Sequence, residues 1–247
     1  MACARFRFYE ELNDFLPPER RKVEFEHEFH HRGSVKDMIE SLGVPHPEVE
    51  VILVDGEPVG FDHIVTNGER ISVYPMFESI EVPLQLRLRP EPLRIMSFVL
   101  DVHLGTLARY LRLSGFDTLY RNDYDDDTLA QISADEQRIL LTRDRDVLKR
   151  TIVTRGYLVR NDRPRHQLAE VVARFDLYAK LRPFRRCSQC NGLLRAVDKA
   201  TILDRLEPKT RLYYDEFKQC EGCGRIYWKG SHHRHIERLI DSVAARP

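Results

Sequence analysis

At 247 residues the chain is longer than a typical domain, which favours two or three small domains over a single large core. With 42% hydrophobic and 32% charged residues it fits a soluble folded protein and excludes a wholly disordered or fibrous one. No apolar run approaches the roughly 18 to 20 residues that cross a bilayer, so no membrane partner is expected. The net charge of zero divides sharply. Residues 1–81 hold 8 Lys and Arg against 17 Asp and Glu, or −9, and residues 82–247 hold 31 against 22, or +9.

In chain order, residues 4–9 (ARFRFY) and 23–29 (VEFEHEF) alternate as strands and can pair as a hairpin. Ser34 is placed to N-cap a helix to about Leu42, which Gly43 and Pro45 stop. Strands over 49–54 and 70–74 follow, with turns at Asp55-Gly56 and Asn67-Gly68. The order β-β-α-β-β predicts an acidic, ubiquitin-like β-grasp domain over residues 1–79. VILVDGEPV…NGERISVYP resembles the small sulfur-carrier relatives of ubiquitin, which act through a free Gly-Gly tail. Here the matching place reads Pro75-Met76-Phe77-Glu78 and runs on into another domain, which argues against a carrier role. Residues 80–92 (IEVPLQLRLRPEP), with three prolines and no helical period, read as a linker.

From residue 93 apolar strands alternate with amphipathic helices: strands over 95–100, 117–120, 138–142 and 156–160, helices over 104–113, 127–135, 146–151 and 166–178. This predicts an α/β domain over 93–180, with a mostly parallel sheet and helices on both faces. In such folds sites lie beyond the carboxyl ends of the strands. Asp101 follows the first strand directly, Asp144 and Asp146 follow the third, and the Asp123–Asp127 run follows the second. Carboxylates gathered at one edge repel unless a divalent cation neutralises them, and Mg2+ or Mn2+ prefers such oxygen ligands. A site of that kind hydrolyses phosphodiesters without a protein nucleophile. Alternatively Asp101, Asp127 and Asp146 serve as helix caps, a role compatible with ligation. No phosphate-loop or dinucleotide-binding glycine motif is present. The densest basic stretch, residues 143–186 with 13 basic against 5 acidic residues, would attract a polyanion or form an ordinary solvated face.

Cys187-Ser-Gln-Cys190 and Cys220-Glu-Gly-Cys223 are two C-x2-C knuckles separated by 29 residues, the signature of a closed four-thiolate Zn2+ site that serves folding rather than catalysis. They place a zinc ribbon within residues 181–247. The segment from Arg225 to His235 interleaves aromatic and basic residues, so that Tyr227 and Trp228 either stack on bases or pack the ribbon's core, and His232, His233 and His235 read as a polar helix start. Cys3 has no partner in these motifs. With no secretory leader in MACARFRFYEELNDF, and cysteines spaced for a metal rather than for disulfides, the expected compartment is the cytoplasm.

DVHLGTLARYLRLSGFDTLYRND, RILLTRDRDVLKR, CSQCNGLL and CEGCGRIYWKGSHH, in this order, resemble the PIN-type RNase domain named for the C terminus of the Mut-seven exonuclease. The likeness covers roughly residues 93–235, and the acidic first domain resembles the module often fused ahead of it. The resemblance implies a PIN-like fold with a metal-dependent endoribonuclease site, RNA as partner, and a zinc ribbon. Carried over, the first acid falls on Asp101, the acid of the T-x-D motif on Asp144 with Asp146 beside it, and the intermediate acid on Asp126 or Asp127. Thr142 would support the site through its hydroxyl or cap the turn. His103, Arg109, Arg143, Arg145 and Trp228 are the candidate RNA contacts. The acidic domain would recruit a protein partner or cover the basic surface in cis. The alternative reading is a non-catalytic RNA-binding or adaptor protein whose acids are only caps.

Overall fold

The structure is a computed structural model and describes residues 1–75, 88 and 96–244. The linker expected over 80–92 lies, apart from Leu88, outside the described residues. Chain contacts divide the protein into two compact units, residues 1–95 with 130–158 and residues 96–129 with 159–247.

The first unit contains the ubiquitin-like domain. Strands β1 (Ala2–Phe8), β2 (Phe25–Phe29), β3 (Val49–Val54), β4 (Glu57–Pro58) and β5 (Arg70–Pro75) form one sheet in the order β2-β1-β5-β3-β4. Only β1 and β5 run parallel. The alternation read in β1 buries Ala4, Phe6 and Phe8 on one face, as the two-residue period of a strand requires. Helix α1 (Val35–Ser41) buries Val35, Met38 and Ile39 and starts in a capping box between Ser34 and Asp37. β1 and β2 pair antiparallel as expected, but residues 9–24 join them through two 3-10 turns rather than a tight hairpin. Buried Asn13 holds this connection. It donates to the carbonyls of Phe8 (3.0 Å) and Glu10 (2.9 Å) and accepts from Lys22 N–H (2.6 Å).

The same unit includes β8 (Ile139–Thr142), α4 (Arg145–Leu148) and β9 (Gly156–Leu158), with β8 and β9 parallel. A 3-10 turn at His46–Glu48 meets β9, and there the Glu48 carboxylate, 1% exposed, accepts the Leu158 N–H at 2.6 Å. Beside it, burial lowers the pKa of His46 from its ordinary value, although its ring lies 2.6 Å from Glu40.

In the second unit β6 (Ser97–Leu100) and β7 (Asp117–Leu119) pair parallel, joined through a 3-10 turn at Val102–Leu104 and helix α2 (Gly105–Leu113). Helix α3 (Asp126–Asp135) follows β7, and its residues from Ala130 on are counted with the first unit. Helix α5 (Pro164–Arg174) packs against α2 and against the last helix, α7 (Ser231–Ala244). The sequence extended α5 to residue 178, but Asp176 adopts a left-handed φ of 41° and a 3-10 turn takes over at Tyr178. β10 (Leu194–Val197), β11 (Phe217–Cys220) and β12 (Ile226–Trp228) form an antiparallel sheet, with α6 (Pro208–Tyr213) between the first two. α7 begins where the polar start was expected, and Ile236, Leu239, Ile240 and Val243 form its buried stripe. No helix among the described residues is long and apolar enough to cross a membrane.

α2 ends at Gly115, whose φ of +104° suits glycine and whose missing Cβ leaves room for the Arg182 carbonyl. Gly68, at φ +90°, has no atom within 4 Å of the corresponding position. Gly115→Ala is therefore expected to lower the midpoint of thermal unfolding more than Gly68→Ala. The backbone strain of order 1 kcal/mol is common to both, and the steric clash belongs to Gly115 alone.

Candidate catalytic carboxylates and a four-cysteine metal centre

The predicted acids sit at three helix starts. Asp101, 5% exposed, follows β6 directly, and its Oδ1 accepts the His103 N–H at 2.8 Å. After β8, the Thr142 hydroxyl accepts the Asp144 N–H (2.9 Å), and Asp144 Oδ1 accepts the Asp146 N–H (2.8 Å). Thr142 thus caps the turn, Asp144 caps α4, and Asp144 and Asp146 come together in that helix's first turn. In the third acidic segment the cap is Asp125, whose carboxylate accepts the Thr128 N–H (2.8 Å), and not Asp127. Asp126 and Asp127 are exposed in the first turn of α3, where the helix dipole favours negative charge. Asp123 is committed elsewhere. Arg121 donates to both of its oxygens (2.9 and 2.7 Å) and holds its carboxyl below the usual carboxylate range.

Of the candidate RNA contacts, His103, Arg109 and Arg143 are exposed, and Arg145 carries its guanidinium 5.2 Å from the ring centre of Phe15 in the ubiquitin-like domain. Arg109 and Trp228, far apart in sequence, line the same cavity.

The four cysteines do meet. Their sulfur atoms all lie within 4.8 Å of one another, with Cys187 3.6 Å from Cys223 and Cys190 3.3 Å from Cys220. Zn–S bonds of about 2.3 Å in a tetrahedron set sulfur atoms about 3.8 Å apart, so the cluster fits a structural metal such as zinc. Cys187 and Cys220 are buried, while Cys190 and Cys223 reach the surface. Burial opposes ionisation of Cys187, but the Tyr227 hydroxyl 3.0 Å away and backbone N–H groups outweigh it and lower the thiol to about 7. At Cys190 burial prevails and raises the thiol to about 12. Tyr227 is thereby tied to the metal centre and also accepts the Ser188 N–H at 3.1 Å. Trp228 is 37% exposed, tilted against Phe217 at 6.4 Å and Tyr214 at 6.5 Å, so it neither fills the ribbon's core nor leaves it.

Sequence reasoning missed the residue that docks this centre. Arg112, 4% exposed, donates from Nε to the Thr118 carbonyl (2.9 Å), from Nη1 to the carbonyls of Ser188 (3.2 Å) and Gln189 (2.9 Å), and from Nη2 to that of Tyr120 (3.5 Å). Burial lowers its pKa from the ordinary value, opposed by the charges of Cys187, Cys190 and Asp117. A guanidinium still stays protonated in such a setting. Asn191 adds a second clamp, accepting the Thr118 N–H (3.1 Å) and donating to Asp117 (2.9 Å), which Arg186 also pairs (3.0 Å). A signal for Arg112 existed. It falls on the i, i+3, i+4 stripe of α2 with Leu104, Leu107, Ala108 and Leu111, where only a hydrogen-bonded cation is tolerated.

A ubiquitin-like domain, an α/β part with parallel strand pairs and a four-cysteine ribbon together define the class of protein. Residues 96–240 match the model of the Mut7-C RNAse domain, and residues 1–81 match that of the Mut7-C ubiquitin domain. The first match spans more than half of the chain, which belongs to the Mut7-C RNAse domain family. No curated protein and no solved structure matches the chain.

Arg112→Met keeps the length of the side chain and removes its donors. It is expected to destabilise the protein by about 3 kcal/mol, in the range for breaking a buried charged network. It should also speed the transfer of bound metal to a chromogenic chelator, and the emission of Trp228, the only tryptophan, reports the accompanying change in the ribbon.

Proposed function

We propose that the chain is a metal-dependent ribonuclease that cuts RNA internally by phosphodiester hydrolysis, with Asp101, Asp126 or Asp127, Asp144 and Asp146 as its catalytic carboxylates. The observation that carries this reading is the RNAse-domain match over 96–240, within which a buried acid, Asp101, directly follows the carboxyl end of β6. Parallel strands joined by helices deliver the residues that follow them to one edge of a sheet. Asp144 follows β8 at a distance of one residue. The donors are all carboxylate oxygens, which suit Mg2+ or Mn2+ and not a softer ion. When bound, such a cation supplies Lewis-acid activation of the scissile phosphate and of water.

The chain's own residues orient the acids. The His103 N–H fixes Asp101, and the Thr142 hydroxyl and Asp146 N–H fix Asp144. His103 and Arg143, each within two residues of a proposed acid, are the candidate phosphate contacts at the site, within a chain whose residues 82–247 carry the +9 excess. The zinc in the four-thiolate centre has a folding role, since four protein ligands leave no position for substrate.

Cleavage of labelled single-stranded and structured RNA in Mn2+, Mg2+ or a weak chelator tests the reading. Asp101→Asn and Asp144→Asn are each expected to lower the rate at least about 100-fold while RNA binding persists, because each removes a ligand charge at the reacting centre. Cleavage that is absent in wild type, with RNA bound alike in every variant, would replace this reading with that of a non-catalytic RNA-binding adaptor.

The ubiquitin-like domain is assigned a covering role in cis, supported by the Phe15 ring beneath Arg145, one residue from Asp144 and from Asp146. Phe15→Leu keeps apolar volume and loses the ring's attraction for the cation. Binding of RNA to the variant is expected to tighten about two- to five-fold at low salt, matching an exposed cation–π contact of roughly 0.5–1 kcal/mol. Unchanged affinity would leave recruitment of a protein partner as the role of this acidic domain.

A further inference from the structure

Apart from the carboxylates and the thiols, the second unit holds a cavity of about 250 Å3 walled by the rings of Phe184, Tyr227, Trp228 and His233 and by the guanidinium-bearing Arg109 and Arg225. No carboxylate lines it. Both arginines are exposed, and among the described residues neither has an ion pair. A second groove, on the other side of the same four rings, is lined by Asp215, Glu216 and Glu237 beside two lysines and lacks both arginines, so the anion-favouring side is the first. Two guanidiniums with no acid to answer them favour an anion, and the planar fork of arginine suits a phosphate.

The rings are held in place before any ligand arrives. Phe184 and His233 stack at 3.6 Å between ring centres with planes 12° apart. The Tyr227 hydroxyl is tied to Cys187 and to the Ser188 N–H. At Gly230 the chain passes so near the indole that a Cβ would stand 2.9 Å from Trp228 Nε1. Trp228 is only tilted against its aromatic neighbours, without a stacked partner among them. A fixed, partly exposed indole beside unpaired guanidiniums is the combination that stacks one base and holds its phosphate. The volume lies below the roughly 300 Å3 at which sites for larger ligands begin, which suits a single base.

We propose that this cavity binds one unpaired nucleotide of single-stranded RNA, with its base stacked on Trp228 and its phosphate held by Arg109 and Arg225. The inference rests on the ribonuclease reading for the choice of polymer and adds to it a site, separate from the catalytic acids, that selects single strands. A base engaged in a duplex cannot enter without leaving its own stack.

The test uses the full-length, zinc-loaded chain without added Mg2+ or Mn2+. Oligoadenylate is expected to quench the fluorescence of Trp228, the only tryptophan, and the same strand paired with oligouridylate is expected not to. Arg109→Gln and Arg225→Gln should each weaken binding several-fold and flatten the slope of log affinity against log salt by about 0.7, the value for one phosphate contact on a single strand. Trp228→Leu, followed by anisotropy of labelled RNA, should bind about ten-fold more weakly or worse while retaining one zinc, as the loss of one stacked base predicts. Equal quenching by the duplex, or arginine variants with unchanged affinity and salt slope, would overturn the site. Quenching that depends on both arginines in a protein that never cleaves RNA would retain the site and remove the ribonuclease reading. Cleavage with no quenching and no effect of the arginines would do the reverse.

Discussion

A charge buried in the protein dictates how the second unit is put together. Arg112 cannot be desolvated without partners, since an isolated cation in an apolar interior costs many kcal/mol. It finds carbonyl oxygens on the strand that follows its own helix and on the first cysteine knuckle. The carbonyls of Ser188 and Gln189 can both reach one guanidinium only while the knuckle holds its turn, which a metal across the four close thiols would fix. Helix α2, strand β7 and the metal centre are therefore mutually dependent. Arg109, three residues before Arg112, and Tyr227, bonded to Cys187, take their places from that same arrangement.

At the carboxylates the controlling constraint is the helix terminus. Every helix begins with backbone N–H groups that lack intrahelical acceptors, and Asp101, Asp125 and Asp144 satisfy them. Each such bond uses one carboxylate oxygen and fixes the direction of the other. Capping and metal ligation therefore need not compete. A cap also orients the acid, because the accepted N–H fixes its rotamer. Asp146 shares the first turn of α4 with Asp144, whose carboxylate accepts its N–H.

Much of this was legible in the sequence because it followed local rules. The two-residue alternation of ARFRFY, the Ser34 to Asp37 capping box and the turn glycines at 56 and 68 specify the β-grasp with little help from distant residues. The cysteine spacing specifies the thiolate cluster for the same reason. What could not be read depended on tertiary partners. Asn13 looks like a loop residue until its three bonds are seen, and Arg112 looks like one more surface cation in a helix rich in them. The three strands of the ribbon are only three or four residues long, too short for a period to show. Among the acids, local sequence could not separate Asp125 from Asp127, because both stand at a helix start and only the backbone decides which side chain turns inward.

The hydrogen bond from Leu158 to Glu48 spans 110 residues of sequence, and both residues belong to the same compact unit. A ribosome making this chain therefore finishes the ubiquitin-like sheet long before it supplies the amide that Glu48 accepts. Until then the Glu48 carboxylate stands in water at the surface of a nascent domain, and the segment that buries and pairs it is the one carrying Asp144. The nascent first domain has an exposed docking face for as long as residues 130–158 are missing, so a stalled or shortened chain would present to chaperones and proteases a surface that the finished protein covers.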